Sequence, residues 1–106
     1  MLAREHRFKS NDEIREVIKS GKRSSNSVAT LHYLPSTQSQ FAVVTSKAIG
    51  NAVIRNLVRR RAKAVLFELR EKYPNIQGVL RMRPAAAELS FQELRGKLAE
   101  LLERVK

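Results

Sequence analysis

The chain has 106 residues, of which 21 are Lys or Arg and 10 are Asp or Glu, so its formal net charge is +11. This length predicts a single domain over residues 1–106, because chains usually divide only above about 250–300 residues. The chain contains no cysteine, which excludes a disulfide scaffold, a thiolate metal site and a Cys nucleophile and fits a reducing cytoplasm. No apolar run approaches the roughly 20 residues of a membrane span, and we expect no signal peptide. The strongly basic composition points first to nucleic acid as a partner.

The first half of the chain predicts one helix and two strands. A capping box at residues 10–13 and a terminating Gly21 delimit a helix over about residues 11–20. Residues 27–34 and residues 40–46 are uncharged and rich in β-branched side chains. Such runs are typical of central strands that are covered on part of both faces.

The second half predicts the longest helix, a short strand and a last helix. Asn51 is a suitable N-cap for a helix over about residues 52–73, which Pro74 closes. A strand follows at about residues 78–83, and a second capping box at residues 90–93 begins the last helix. The predicted order is therefore α-β-β-α-β-α, an α/β (α+β) two-layer sandwich of one sheet and three helices.

The positive charge is concentrated in residues 47–63, which contain six bases and no acid. Solvated helix faces usually interleave both signs, because like charges four residues apart repel. At about 100° per residue, one arc of the long helix carries Arg55, Asn56, Arg59, Arg60, Lys63 and Arg70, and an adjoining arc carries Ile54, Val58, Ala62, Val65, Leu66 and Leu69. Guanidinium forks suit phosphate oxygens, and the Asn56 amide can donate to a phosphate or a ribose. The pattern predicts a helix that packs on the sheet and binds a polyanion.

The start of this helix adds to the prediction. The first N–H groups of a helix lack intrahelical partners and attract anions. Gly50 allows a backbone to approach closely, and Lys47 lies just upstream. Without the basic helix, however, a plain turn with an N-cap would explain the same residues.

The run SKAIGNAVIRNLVRR at residues 46–60 resembles the protein component of bacterial ribonuclease P. The family signature is a Lys, an Ile/Val-Gly-Asn-Ala-Val turn and a helix that begins Arg-Asn-Arg, followed by further bases. The likeness extends over nearly the whole chain, from Arg-Phe-Lys at residues 7–9 to Arg-Pro at residues 83–84.

The resemblance implies a subunit of an endoribonuclease that removes 5′ leaders from precursor tRNA. The catalytic RNA and its Mg²⁺ ions would carry the chemistry, so the protein would supply no catalytic or metal-binding residue and hold no tight cofactor. RNA-binding residues would be Arg7, Lys9, Lys47, Arg55, Asn56, Arg59, Arg60, Arg61 and Lys63. A cleft between the first helix and the sheet would hold the single-stranded leader, lined by Ile14, Ile18, Val28, Thr30, His32, Val44 and Ser46. The family fold also implies a left-handed β-α-β crossover.

Three departures from the family pattern bear on function. Leu57 stands where the family usually has the second Arg of Arg-Asn-Arg, and Arg61, its helical neighbour, is a candidate substitute. Ile14 and Ile18 occupy positions that are often aromatic, and ordinary core packing explains them equally well. His32 matches another such position. An aliphatic wall loses most of the stacking energy, about 1–3 kcal/mol per base, that an aromatic wall would offer.

Other classes of protein remain as alternatives. A generic RNA-binding or ribosomal protein fits the charge equally well, and only the motif disfavours it. A free-standing metal nuclease needs clustered carboxylates, but residues 17–67 contain none. A basic helix can also lie on an anionic membrane, although the sheet requires its apolar arc, so we expect no membrane partner.

Overall fold

The structure, a computed structural model, describes residues 11–37, 39–73 and 75–105. Its sheet has four strands: β1 (Lys22–Ser25), β2 (Ala29–Pro35), β3 (Gln40–Val44) and β4 (Ile76–Met82). Their spatial order is β1-β2-β4-β3. The two pairings of β2 are antiparallel, whereas β3 and β4 are parallel. Because β4 enters between β2 and β3, the last strand in sequence lies in the middle of the sheet.

Three α-helices accompany the sheet: α1 (Asn11–Ser20), α2 (Ala52–Leu69) and α3 (Phe91–Glu103). The helix α2 links the parallel strands β3 and β4, and the main hydrophobic core joins α2 and α3 to one face of the sheet. Leu31 and Leu80, paired across β2 and β4, belong to this core together with Leu66 and Leu98. Burial of these apolar side chains is the main force that holds the two layers together.

The helix α1 contacts β2 and β4. Its Val17 is 1% exposed and Val79 of β4 is fully buried, and both lie outside the main core. At the end of α1, a Cβ added to Gly21 would come within 2.7 Å of the Tyr33 carbonyl oxygen, so only glycine allows this close approach to β2. We call the side of the sheet that carries Val79 the α1 face.

The predicted fold class is confirmed, and the elements follow the predicted order with one short addition. Strand β1 has the sequence KRSS, which lacks an apolar pattern and was not predicted. The prediction of two central strands is correct for β2 and wrong for β3, which lies at the edge because β4 takes the inner position. The long helix is α-helical only to Leu69, and a 3₁₀ turn over Arg70–Lys72 continues it.

Candidate nucleic-acid interface

The turn before α2 has the backbone conformation and the capping side chain that a helix N-terminus requires. Gly50 has φ 151°, a conformation that side chains with a Cβ rarely adopt. The Asn51 side-chain oxygen accepts a hydrogen bond from the Ile54 N–H at 3.0 Å, which confirms the predicted N-cap. Lys47, in the 3₁₀ turn Lys47–Ile49, is exposed. A cation therefore lies within a few residues of the helix N-terminus, where the free N–H groups also favour an anion.

The helix α2 has a buried apolar face and a basic face that reaches solvent, as the residue spacing predicts. The buried residues of α2 are Val58, Ala62, Val65, Leu66 and Leu69. Ile54, predicted among them, is 38% exposed. We define the basic face as Arg55, Asn56, Arg59, Arg60 and Lys63. Asn56 and Arg60 are exposed, and the other three are half-buried. A half-buried Arg or Lys keeps its charged head in water while its apolar stem covers neighbouring side chains.

Arg59 is held in position by two hydrogen bonds. Its Nη1 donates to the Asn56 side-chain oxygen at 3.0 Å, and its Nη2 donates to the Thr45 hydroxyl at 2.7 Å. The contact with Asn56 leaves the amide N–H groups of Asn56 free to point to a ligand. A guanidinium fixed from two sides loses less entropy when it binds a phosphate than a free one does.

A shallow pocket of about 320 Å³ lies on the basic face, lined by Asn56, Arg59, Arg60, Lys63 and Ala64. Four of these five side chains can donate hydrogen bonds, and three carry a positive charge. Such a concave cationic surface suits a phosphate-ribose backbone better than a neutral or cationic partner.

Arg61 is placed differently from the other bases. It is half-buried, and its Nη1 donates to the Leu89 carbonyl at 3.1 Å. The guanidinium therefore links α2 to the segment before α3 and has a structural role inside the protein. Leu57, one turn earlier, is also half-buried. The hypothesis that Arg61 substitutes for the missing Arg at position 57 stays a prediction: one of its five N–H donors is used inside the protein.

The ion pairs of the described residues lie away from the basic face. They join Arg15 to Asp12, Arg95 to Glu68 and Arg104 to Glu100. The Arg95–Glu68 pair is bidentate, with N···O distances of 2.6 and 3.1 Å. Hydrogen bonding to Arg95 lowers the pKa of Glu68. Within the described part of the chain, no base of residues 47–63 has a carboxylate partner, so these charges are available to an external anion.

The α1 face brings together most of the residues predicted to line a cleft. Thr30 and His32 of β2 share this face with Val44, because Arg81 is paired with both Thr30 and Val44. Ile14 and Ile18 of α1 are half-buried, and Ser46, two residues beyond β3, is exposed.

Val28 does not belong to this set, and its prediction as a cleft residue is wrong. It precedes β2 in a turn where the Asn26 side-chain oxygen accepts from the Val28 and Ala29 N–H groups at 3.0 and 3.1 Å. Its side chain is 1% exposed and belongs to the main core. The strict alternation assumed for residues 28–32 fails because the turn extends to residue 28.

His32 is the most buried polar residue of the α1 face, at 5% exposure. Burial, then the positive charges of Arg81 and Arg23, lower the pKa of His32. Among the described residues its Nε2 has no hydrogen-bond partner. The ring is therefore neutral near pH 7 and offers little surface on which a base could stack.

Sequence reasoning overlooked three residues of these surfaces: Thr45, Arg23 and Arg81. The alternation of β4 contains a usable signal, because Arg81 lies between the buried Leu80 and Met82 and must point away from the core. Thr45 and Arg23 have no comparable signal, since their neighbours depend on tertiary contacts. Arg7 and Lys9, predicted to bind RNA, lie outside the described residues.

The described residues contain no group of three or more His, Asp or Glu side chains that could hold a metal ion. Within the same part of the chain, no helix is both long and apolar enough to cross a membrane.

The fold and the basic face together define a small basic α+β protein with an exposed cationic surface on one helix. Comparison with known proteins assigns it more narrowly. A family model described as ribonuclease P matches residues 2–106. The curated ribonuclease P protein component of Corynebacterium diphtheriae is 30% identical over 115 residues, which cover 99% of this chain and 97% of that protein. Its counterpart in Clavibacter michiganensis subsp. michiganensis is 33% identical over 108 residues, with 98% and 96% coverage.

Solved structures show the same fold. The RNase P protein of Staphylococcus aureus matches with a TM-score of 0.88 at 19% identity, covering 95% of each chain. The RNase P protein of Thermotoga maritima matches with a TM-score of 0.85 at 20% identity, covering 94% of this chain and 97% of that one. The chain belongs to the family of the bacterial ribonuclease P protein component, as the run at residues 46–60 indicates.

Proposed function

We propose that this chain binds the catalytic RNA of ribonuclease P through the basic face of α2 together with Lys47, and so assists removal of the 5′ leader from precursor tRNA in the cytoplasm. The observation that carries the proposal is the set of cations in residues 47–63 that have no acidic partner within the described residues. Arg59, fixed by Thr45 and Asn56, gives this surface a defined geometry. Phosphate contacts of this kind position a protein on RNA without reading its sequence.

The phosphodiester chemistry belongs, in this proposal, to the RNA and its Mg²⁺ ions. Mg²⁺ is typically held by one or two carboxylates together with substrate phosphates. The sequence contains no Asp or Glu between Glu16 and Glu68, so the basic face has no neighbouring carboxylate in sequence to hold the ion. The protein contributes positive charge, which lowers the repulsion between two RNA molecules and reduces the amount of free Mg²⁺ they need.

The α1 face is the second part of the proposal and receives the single-stranded leader. It would use Ile14, Ile18, Thr30, His32, Val44 and Ser46, without the buried Val28. Its apolar side chains and small hydroxyls fit an extended strand whose bases pack loosely rather than a folded duplex.

The direct test of the main contact is the double variant Arg55→Ala, Arg59→Ala. We expect its affinity for the catalytic RNA to fall about 10- to 100-fold, because two charge-assisted phosphate contacts are lost. The slope of log K against log salt should be roughly −3.5 to −4.5 for the five cations of the surface, and smaller in magnitude by about 1.4–1.8 in the variant. Filter binding or fluorescence anisotropy over a salt series measures both quantities.

The matched control is Lys72→Gln, Lys97→Gln, which removes the same charge from exposed residues on other parts of the molecule. We expect this control to lose less than about threefold in affinity. If both double variants weaken binding equally, only the net charge matters and the basic face is not the interface. Thermal unfolding should show both variants to be folded. Global unfolding of the Arg55, Arg59 variant would contradict its assignment as a surface.

A further inference from the structure

A pair of arginines lies on the α1 face, and neither arginine has yet been given a role there. Arg23 of β1 is paired directly with His32 of β2, and Arg81 of β4 is paired with Thr30, two residues from His32 on the same side. Both arginines are exposed. From strand spacing, their Cα atoms are about 12 Å apart, with His32 between them. We call Arg23 and Arg81 the arginine pair.

Neither guanidinium of the arginine pair has an ion pair or hydrogen bond among the described residues. The helix α1 carries three acids: Asp12 lies against Arg15, Glu16 accepts from the Ser20 hydroxyl, and Glu13 is half-buried. None of the ion pairs of the described residues joins one of these acids to Arg23 or Arg81. Two other exposed arginines outside the basic face, by contrast, are engaged: Arg83 donates to the Asn26 carbonyl and Arg104 to the Ser25 carbonyl. The arginine pair is therefore cationic surface without an internal structural use.

Beneath the pair, His32 adds an independent observation. The residue is only 5% exposed, yet its Nε2 has no partner among the described residues. A buried polar atom without a hydrogen bond is unusual in a folded protein and costs free energy. The proximity of both guanidiniums to His32 is also reflected in its lowered pKa. An anion bound between the arginines would offset the positive charges that surround this ring.

The other side chains of the α1 face offer little surface on which the bases of a single-stranded nucleic acid could stack. Ile14, Ile18 and Val44 are aliphatic, and His32 has almost no exposed ring surface. Base stacking on aromatic side chains contributes about 1–3 kcal/mol per base, and this surface lacks such side chains. Arginine, by contrast, binds phosphate oxygens through two parallel N–H groups and does not depend on the base.

We propose that the arginine pair binds the phosphate backbone of the single-stranded leader of precursor tRNA, so that this chain holds the leader by charge where an aromatic wall would hold it by stacking. The proposal rests on the proposed function, because it takes the α1 face as the leader site. The two guanidiniums, on opposite sides of β2, would contact phosphates of different nucleotides.

The test uses the holoenzyme assembled from the catalytic RNA and Arg23→Gln, Arg81→Gln protein. Two precursor tRNAs serve as probes, one with a long leader and one with a one-nucleotide leader. We expect the variant to bind the long-leader substrate about tenfold more weakly and the short-leader substrate as wild type does. The salt slope for the long leader should fall in magnitude by about 1.4, as two single-strand phosphate contacts predict. The control Lys72→Gln, Lys97→Gln should leave both affinities within about twofold of wild type.

Modified leaders separate phosphate recognition from base recognition. We expect a long leader without bases to keep most of its affinity for the wild-type holoenzyme, and a leader with uncharged methylphosphonate linkages to lose it. The opposite pattern, or equal affinity of the arginine variant and the control, would overturn the proposal while leaving the leader site in place. If the wild-type holoenzyme binds long and short leaders equally well, the α1 face is not the leader site. The proposed leader site and the proposed role of the arginine pair are then both wrong. The Arg55, Arg59 test of the main RNA contact is independent of that outcome.

Discussion

Arg59 illustrates how one side chain of the basic face acquires a fixed geometry. Its two partners come from different elements, Asn56 from the same helix and Thr45 from the end of β3. The contact with Asn56 is local and follows from helical spacing. The contact with Thr45 depends on how α2 returns over the sheet, so sequence periodicity could not reveal it.

Replacement of Thr45 by Val tests this positioning. The variant removes the 2.7 Å hydrogen bond to Arg59 and keeps the shape and size of the side chain. We expect affinity for the catalytic RNA to fall about three- to fivefold, since a bond to a charged group contributes on the order of 1 kcal/mol, with an unchanged salt slope because no charge is lost. Thr37→Val, at an exposed loop position, is the matched control. If Thr45→Val binds as well as this control, Thr45 does not position Arg59 for RNA.

His32 gives the protein a pH dependence of stability with a definite sign. Because burial and the neighbouring arginines lower the pKa of folded His32 below 6.5, the unfolded chain takes up a proton more readily than the folded one. The free energy of unfolding should therefore fall as the pH falls from about 7 towards 5. Glu68 and Glu93 have lowered pKa values and lose their stabilising contribution only below about their ordinary 4.5, in a separate range.

Urea unfolding of wild type and His32→Phe at several pH values measures this effect. The difference in unfolding free energy between the two proteins should change with pH between 7 and 5, with wild type losing more on acidification. A difference that stays constant over this range would show that His32 titrates alike in the folded and unfolded states, contrary to its burial between two cations.

The elements of the fold differ in how far local sequence determines them. The start of α2 at Asn51 and the capping box of α3, where Ser90 and Glu93 each bond the other's backbone, are side-chain-to-backbone contacts within four residues. Local patterns predict such contacts correctly. Strand β1 could not be predicted, because its KRSS sequence becomes a strand only by pairing with β2. The predicted end of α2, at about residue 73, is too late, because the α-helix ends at Leu69 and a 3₁₀ turn over Arg70–Lys72 follows.

The turn at Gly50 links the stability of α2 to the RNA contact that we propose for this helix. With φ 151° and Ile54 side-chain atoms 3.1–3.2 Å from an added Cβ, Gly50→Ala should destabilise the protein by about 1–3 kcal/mol. It should also weaken RNA binding by displacing the first turn of α2. Gly96 is the matched control, because a Cβ there meets nothing within 4 Å, and Gly96→Ala in the exposed middle of α3 should stabilise by about 0.5–1 kcal/mol.

Thermal or urea unfolding of the two alanine variants measures the change in unfolding free energy, which should be negative for Gly50→Ala and positive for Gly96→Ala. If Gly50→Ala were as stable as wild type and bound RNA equally well, the backbone conformation at the start of α2 would have no part in the interface.

At the scale of the whole molecule, the protein has two distinct cationic surfaces, the basic face of α2 and the arginine pair on the α1 face. Glu68 pairs with Arg95, and Glu100 pairs with Arg104. Within the described residues, no acid pairs with a base of residues 47–63. The sequence was sufficient to predict this basic surface, because its residues are close along one helix. It was not sufficient for the arginine pair, because Arg23 and Arg81 come to flank His32 only through the β1-β2-β4 order of the sheet.

The central claim is that a cationic protein surface assists an RNA that carries out the cleavage. The most direct measurement is cleavage of precursor tRNA at low Mg²⁺ by the protein alone, by the catalytic RNA alone and by the two combined. The account predicts no cleavage by the protein alone, weak cleavage by the RNA alone and strong stimulation when both are present, with less stimulation by the Arg55→Ala, Arg59→Ala variant. Cleavage by the purified protein without RNA, or an RNA that the protein does not stimulate, would contradict it.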